Sequence, residues 1–156
     1  MSFNIETLAD KLRDQAKKQG QIDGNAVNWD RVRDDWLQRV EHLLDQVVGW
    51  TQTLQDEGLL SIKREAYVVN EERLGEYTSS KLTLTTPTGF PIEVSPFHRV
   101  IRGAVGRVDV SSPAERFMLL RNQEDDWSIV WQLTPSPKHE VLSEESFVKL
   151  LDYLIG

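Results

Sequence analysis

The chain has 156 residues, 39% of them hydrophobic and 28% charged, with five Trp, nine Gly, six Pro and no Cys. A chain of that length buries roughly 68–70% of its unfolded surface in one core, and the composition excludes disorder, collagen-like repeats, disulfide scaffolds and thiolate metal sites. A net charge of −7 opposes non-specific binding to nucleic acid or anionic lipid, where Lys and Arg must displace counterions.

The acidity is uneven. Residues 1–57 carry 7 basic against 11 acidic side chains, residues 58–111 carry 7 against 6, and residues 112–156 carry 4 against 8. Absence of Cys fits a reducing compartment, so a cytoplasmic protein is expected. The stretch Met1 to Glu6 has neither a basic n-region nor an apolar run, and no segment approaches the ~18 apolar residues of a membrane span. Neither an ordinary export signal nor a membrane partner is expected.

Three helices are predicted, each from the same start signal. Phe3-Asn4, Val27-Asn28 and Leu142-Ser143 set an apolar residue before a capping oxygen, with Leu8, Val32 and Phe147 placed to pack back. The first helix runs from about Ile5 to Gln19, where Gly20 supplies a stop. Its stripe of Ile5, Leu8 and Leu12 with the small Ala9 and Ala16 is thin and implies that it lies on something larger. The second runs from about Trp29 to Glu57 on a stripe of Trp36, Val40, Leu43, Val47, Trp50 and Leu54. A helix of that extent is ~43 Å long.

From Leu59 the apolar period falls to two residues. Strands are predicted at Ser61–Asn70, Thr78–Thr86, Phe90–Ser95, His98–Arg102, Val105–Val110, Glu115–Asn122 and Trp127–Leu133. Their short connections require antiparallel neighbours. Thr86-Pro87-Thr88-Gly89 and Asn122–Asp126 read as hairpin turns. A helix from Glu144 to about Ile155 closes the chain. The class is α+β in one domain, 1–156: two N-terminal helices, an antiparallel meander of six or seven strands, and a C-terminal helix packed on the sheet.

Trp127, Ile129, Trp131 and Leu133 make one apolar face of their strand, and Ser128, Val130 and Gln132 the other. That pattern suits helices on one side of the sheet and a partly exposed reverse.

Catalytic signatures are sparse. No P-loop and no GxGxxG is present, and Gly103-Ala104-Val105-Gly106 reads as a turn between strands. His42, His98 and His139 form no paired metal-ligand motif, so neither a metal nor another cofactor is expected. Ser95 and His98 bracket Pro96 and Phe97, which in an extended strand puts hydroxyl and imidazole on opposite faces. Asp34, Glu41, His42 and Asp45 lie opposite the second helix's apolar stripe and read as a solvated face, as does Glu124-Asp125-Asp126 at a hairpin tip.

One segment departs from the acidic background. Between Phe97 and Val110, His98, Arg99, Arg102 and Arg107 face a single acid, Asp109. They read either as a charged edge that deters sheet aggregation or as a cationic spot for an acidic partner segment or a phosphate or carboxylate. The pattern as a whole suggests a non-enzymatic protein-binding module of adaptor, chaperone or inhibitor type. The alternative is a small-ligand protein or enzyme with an anion pocket near His98, Arg99 and Arg102. Another protein is the expected partner, and a homodimer is compatible with either reading.

Overall fold

The computed structural model describes the backbone of residues 5–21 and 27–156, and the side chains of residues 5–13 and 27–156. Helix α1 spans Ile5–Gln21, α2 Trp29–Trp50 and α3 Gln52–Asp56. Strands β1 Ser61–Glu71, β2 Gly75–Thr85, β3 Pro91–His98, β4 Arg107–Ser111, β5 Arg116–Arg121, β6 Trp127–Gln132 and β7 Lys138–Val141 follow, and α4 Glu144–Ile155 ends the chain. The strands form one 7-stranded sheet in chain order, each antiparallel to its neighbour.

Helix starts follow the capping chemistry. The Asn28 side chain accepts from the Arg31 N–H at 3.2 Å. Ser143 and Ser146 form a reciprocal capping box at the head of α4. The capping position predicted at Asn4 lies outside the described residues.

The long second helix is shorter than its stripe predicts. It breaks after Trp50, where Thr51 turns its hydroxyl back to donate to the Val47 carbonyl at 2.9 Å. Such back-bonding competes with the helical ladder and bends it. The Gln55 side chain donates to the Val48 carbonyl at 2.9 Å, α3 follows from Gln52, and Leu54 is 36% exposed. The unbroken helix measures about 33 Å rather than ~43 Å.

The core lies between α2, α4 and one face of the sheet. Trp36, Val40, Leu43, Leu44 and Val47 of α2 meet Leu82, Leu84, Ile92, Val94, Leu119 and Ile129 of the sheet, all fully buried, with Phe147 and Leu150 of α4. Each large side chain so removed from water contributes about 1.5–3 kcal/mol. Trp36 is fully buried, whereas Trp29, Trp50, Trp127 and Trp131 pack on the core half-buried.

Three strand expectations are corrected. Phe90–Ser95 and His98–Arg102 are not two strands: β3 runs through Pro96 to His98, and residues 99–102 bend into a turn. The register steps from Pro96 opposite Val108 to His98 opposite Arg107, so Phe97 is the extra residue of a β-bulge. The seventh strand is β7, whose sequence Lys138-His139-Glu140-Val141 carries no apolar alternation. The two predicted hairpin turns form. Thr86 N–H donates to Phe90 O and Gly89 to Thr86 O, while the Asn122 side chain accepts from the Glu124 and Asp126 amides.

The β1–β2 hairpin changes its buried face without a register break. Near its base Leu82 and Leu84 are buried, and toward its tip Val69, Tyr77 and Ser79, of opposite parity, are buried. β2 pairs with β3 only from Leu82 to Thr85, so the rest is a free two-stranded ribbon. Ribbons twist more than wide sheets, and this one turns its other face inward over the start of α2.

The first helix also departs from expectation. It extends to Gln21, and its stripe does not rest on a larger body: Ile5, Leu8 and Leu12 are 77%, 50% and 53% exposed.

Candidate functional site

The turn after β3 is fixed by a buried carboxylate. Glu71, at the end of β1, accepts from the Arg99 and Val100 amides, both at 3.0 Å, and from the Tyr77 hydroxyl. Trp36 Nε1 donates to the same hydroxyl at 3.1 Å. Burial, reinforced by Glu71, pushes the Tyr77 phenol far above its ordinary value and keeps it a donor. Gly106 closes this end of the sheet against the Trp36 ring: its φ is +145°, and a Cβ would overlap the indole.

The four sequence candidates do not converge on this frame. The Phe97 bulge turns its own ring and His98 to the sheet face away from α2, where His98 stacks on Phe97 at 4.3 Å. Arg107 lies 4.2 Å over the same ring and grips Asp109 with Nε at 2.6 Å and Nη2 at 3.1 Å. Arg99 turns toward α2, beside Asp35 and Arg121. Burial, then the charge of Arg121, lowers its pKa, and its Nε has no hydrogen-bond partner. Arg102 is exposed on the turn closed by the Ile101–Ala104 bridge. The expected separation of Ser95 from His98 is corrected: the bulge puts both on the reverse face, with Ser95 opposite Asp109 and His98 opposite Arg107.

A second polar cluster was invisible to spacing rules. Arg121, 8% exposed in the apolar strand β5, donates from Nε to Asp125 Oδ1 at 2.6 Å and from Nη1 to Val105 O at 3.2 Å. Asp125 also pairs with Arg39 at 3.0 Å. The hairpin-tip acid is thus half-buried and structural, not solvated. Glu41 and Asp45 pair with Arg64 of β1 and stay exposed, as expected of a solvated face. Between α2 and the β5–β6 hairpin Arg39 and Asp125 border a cleft of about 190 Å³, with His42, Gln46, Trp50 and Trp127 on its walls. No grouping of His, Asp and Glu suited to a metal ion exists among the described residues.

A further feature is the reverse face itself. α2 and α4 both bury their apolar sides in the front core, and no described helix covers the other side. Over β1–β4 that side is a polar ladder: Lys81 bridges Glu93 at 2.9 Å and Glu65 at 3.9 Å, and Arg107 and Arg116 flank Asp109. Over β5–β7 it carries half-buried Met118 and Leu120 and buried Val130, set among the polar Ser128, Gln132 and His139. Phe97, His98 and Arg107 stand at the seam. The boundary follows sequence, because reverse-facing positions change from Thr83, Glu93 and Ser95 to Met118, Leu120 and Val130.

No helix among the described residues is long and apolar enough to cross a membrane. No family model, curated protein or solved structure matches the chain.

Proposed function

We propose that the chain is a non-enzymatic, cytoplasmic protein-binding module that offers the reverse face of its sheet to one partner. One observation carries the reading: both core helices lie on the front, and the reverse sets an apolar strip of Met118, Leu120 and Val130 beside a charged ladder, with Phe97 between them. An apolar patch rimmed by polar groups is the usual form of a protein interface. Arg116, 64% exposed at its side chain, and His98 favour a partner segment with carboxylates beside its apolar side chains. The cytoplasmic assignment rests on the cysteine-free composition.

Affinity capture from native extract tests this with two baits, the intact chain and the double variant Phe97→Asp, Arg116→Glu. Both positions are exposed enough to leave the core intact. One stoichiometric protein held by the intact bait and lost by the variant is the expected result. Equal capture by both baits overturns the reading, as does a thermal shift with phosphorylated or carboxylated metabolites that Arg99→Ala and Arg102→Ala remove.

A further inference from the structure

The cleft between α2 and the β5–β6 hairpin is lined by polar groups that the fold itself does not use. Arg39, His42, Gln46 and Trp50 recur every three or four residues and so fall along one side of α2. Asp126 and Trp127 line the facing wall, where the hairpin turn enters β6. The side chains of His42, Gln46 and Asp126 make no hydrogen bond or ion pair among the described residues, and neither do the indole N–H groups of Trp50 and Trp127. The sealed polar atoms without a partner are Arg39 Nε, Ser79 Oγ and Arg99 Nε, so both of these indole N–H groups reach solvent. Elsewhere the indoles of Trp36 and Trp131 are bonded, to Tyr77 and Glu140.

Size and charge narrow what fits. The cleft holds about 190 Å³, below the roughly 300–1,000 Å³ of pockets for drug-sized ligands and suited to one small ring. Arg39 pairs with Asp125 at 3.0 Å, and Asp125 with Arg121 at 2.6 Å. An anion in the cleft lies beside Asp125 and Asp126 and a cation beside Arg39, so neither sign is favoured. A neutral polyhydroxylated ring is favoured. Each hydroxyl both donates and accepts, which matches a carboxylate, a carboxamide and an imidazole together. Its C–H faces pack on indole, and each indole here is backed by a core ring, Trp127 by Trp36 at 6.0 Å and Trp50 by Phe147 at 5.8 Å.

We infer that the cleft binds one saccharide ring, free or as the end unit of a longer glycan. Asp126, Gln46 and His42 take its hydroxyls, and Trp50 and Trp127 take its C–H faces. The inference uses no residue of the reverse-face strip or ladder and is independent of that reading.

Proton–nitrogen correlation NMR of the intact chain tests it, because each of the five Trp gives its own indole N–H signal. Trp50→Phe and Trp127→Phe identify the two cleft signals. A single ring binds with a dissociation constant of roughly 1–10 mM, so methyl glycosides of glucose, galactose, mannose and N-acetylglucosamine are titrated to about 50 mM. The expected result is saturable movement of the Trp50 and Trp127 signals with one glycoside and not with its epimer. Gln46→Ala with Asp126→Ala weakens that binding roughly tenfold or more. The double variant keeps the urea midpoint, because neither side chain bonds to the rest of the chain. A trisaccharide that binds more tightly than its end unit assigns the ring to a glycan, and equal binding assigns a free sugar. No saturable shift with any glycoside overturns the inference. Binding that survives the double variant also overturns it, as do cleft signals moved instead by tetramethylammonium or benzoate.

Discussion

Tyr77 is held by burial on one side and a carboxylate on the other, and that arrangement has a pH signature. Its phenol ionises in the unfolded chain near pH 10 but keeps its proton well above that in the fold. A pKa raised on folding adds stability that is complete below about pH 10 and is lost as pH climbs toward the folded value. Lys81, raised first through its hydrogen bond to Glu93, acts with the same sign. Replacing Tyr77 by Phe removes a hydrogen bond to a charged acceptor and costs about 1.5–3 kcal/mol at neutral pH. Above about pH 10 the gap between wild type and Tyr77→Phe narrows, while the Lys81 part persists in both. Urea midpoints measured from neutral to alkaline pH check this, and a constant gap contradicts it. The Glu71–Tyr77–Trp36 chain was not legible in the sequence. Each residue reads locally as an ordinary strand or helix position, and only the ribbon's twist brings them together.

At the scale of elements, signals that act within four or five residues were readable and those that act across the fold were not. Asn28 and Ser143 cap the helices as their side-chain oxygens require, and the turns at Thr86 and Asn122 close as their Pro, Gly and Asn residues require. Removal of the Ser143 oxygen by Ser143→Ala costs about 1 kcal/mol, read as a lower urea midpoint with unchanged slope. An unchanged midpoint contradicts the capping role. The break at Thr51 escaped the period because the apolar stripe continues to Leu54, and a hydroxyl turned back on the helix outweighs the stripe. β7 escaped because it is held by backbone pairing with β6 and by the Glu140 carboxylate, which accepts from Trp131 Nε1 and Lys149, not by apolar alternation. The Phe97 bulge escaped too, and with it the placement of His98 and Arg107 on one ring.

Among the described residues α2, α4 and the sheet form a two-layer body, with these two helices on the front and an open sheet behind. The alternation in Trp127–Gln132 already implied this, since Ile129 is fully buried toward the helices and Ser128 is half-buried on the reverse. What alternation could not give was the placement of the Met118, Leu120 and Val130 strip beside the charged ladder on the reverse, which depends on strand order. Leu119 and Leu120 test the layering most directly, because they are adjacent in β5, chemically identical and on opposite faces. Leu119 is fully buried beneath the helices, and Leu120 is half-buried on the reverse beside Arg107 and Ser128. In urea unfolding Leu119→Ala loses about 2–5 kcal/mol. Leu120→Ala loses about 1 kcal/mol, because only part of its side chain leaves water. Equal, large losses at both positions would mean that the chain seals its own reverse face, and the open sheet would be wrong.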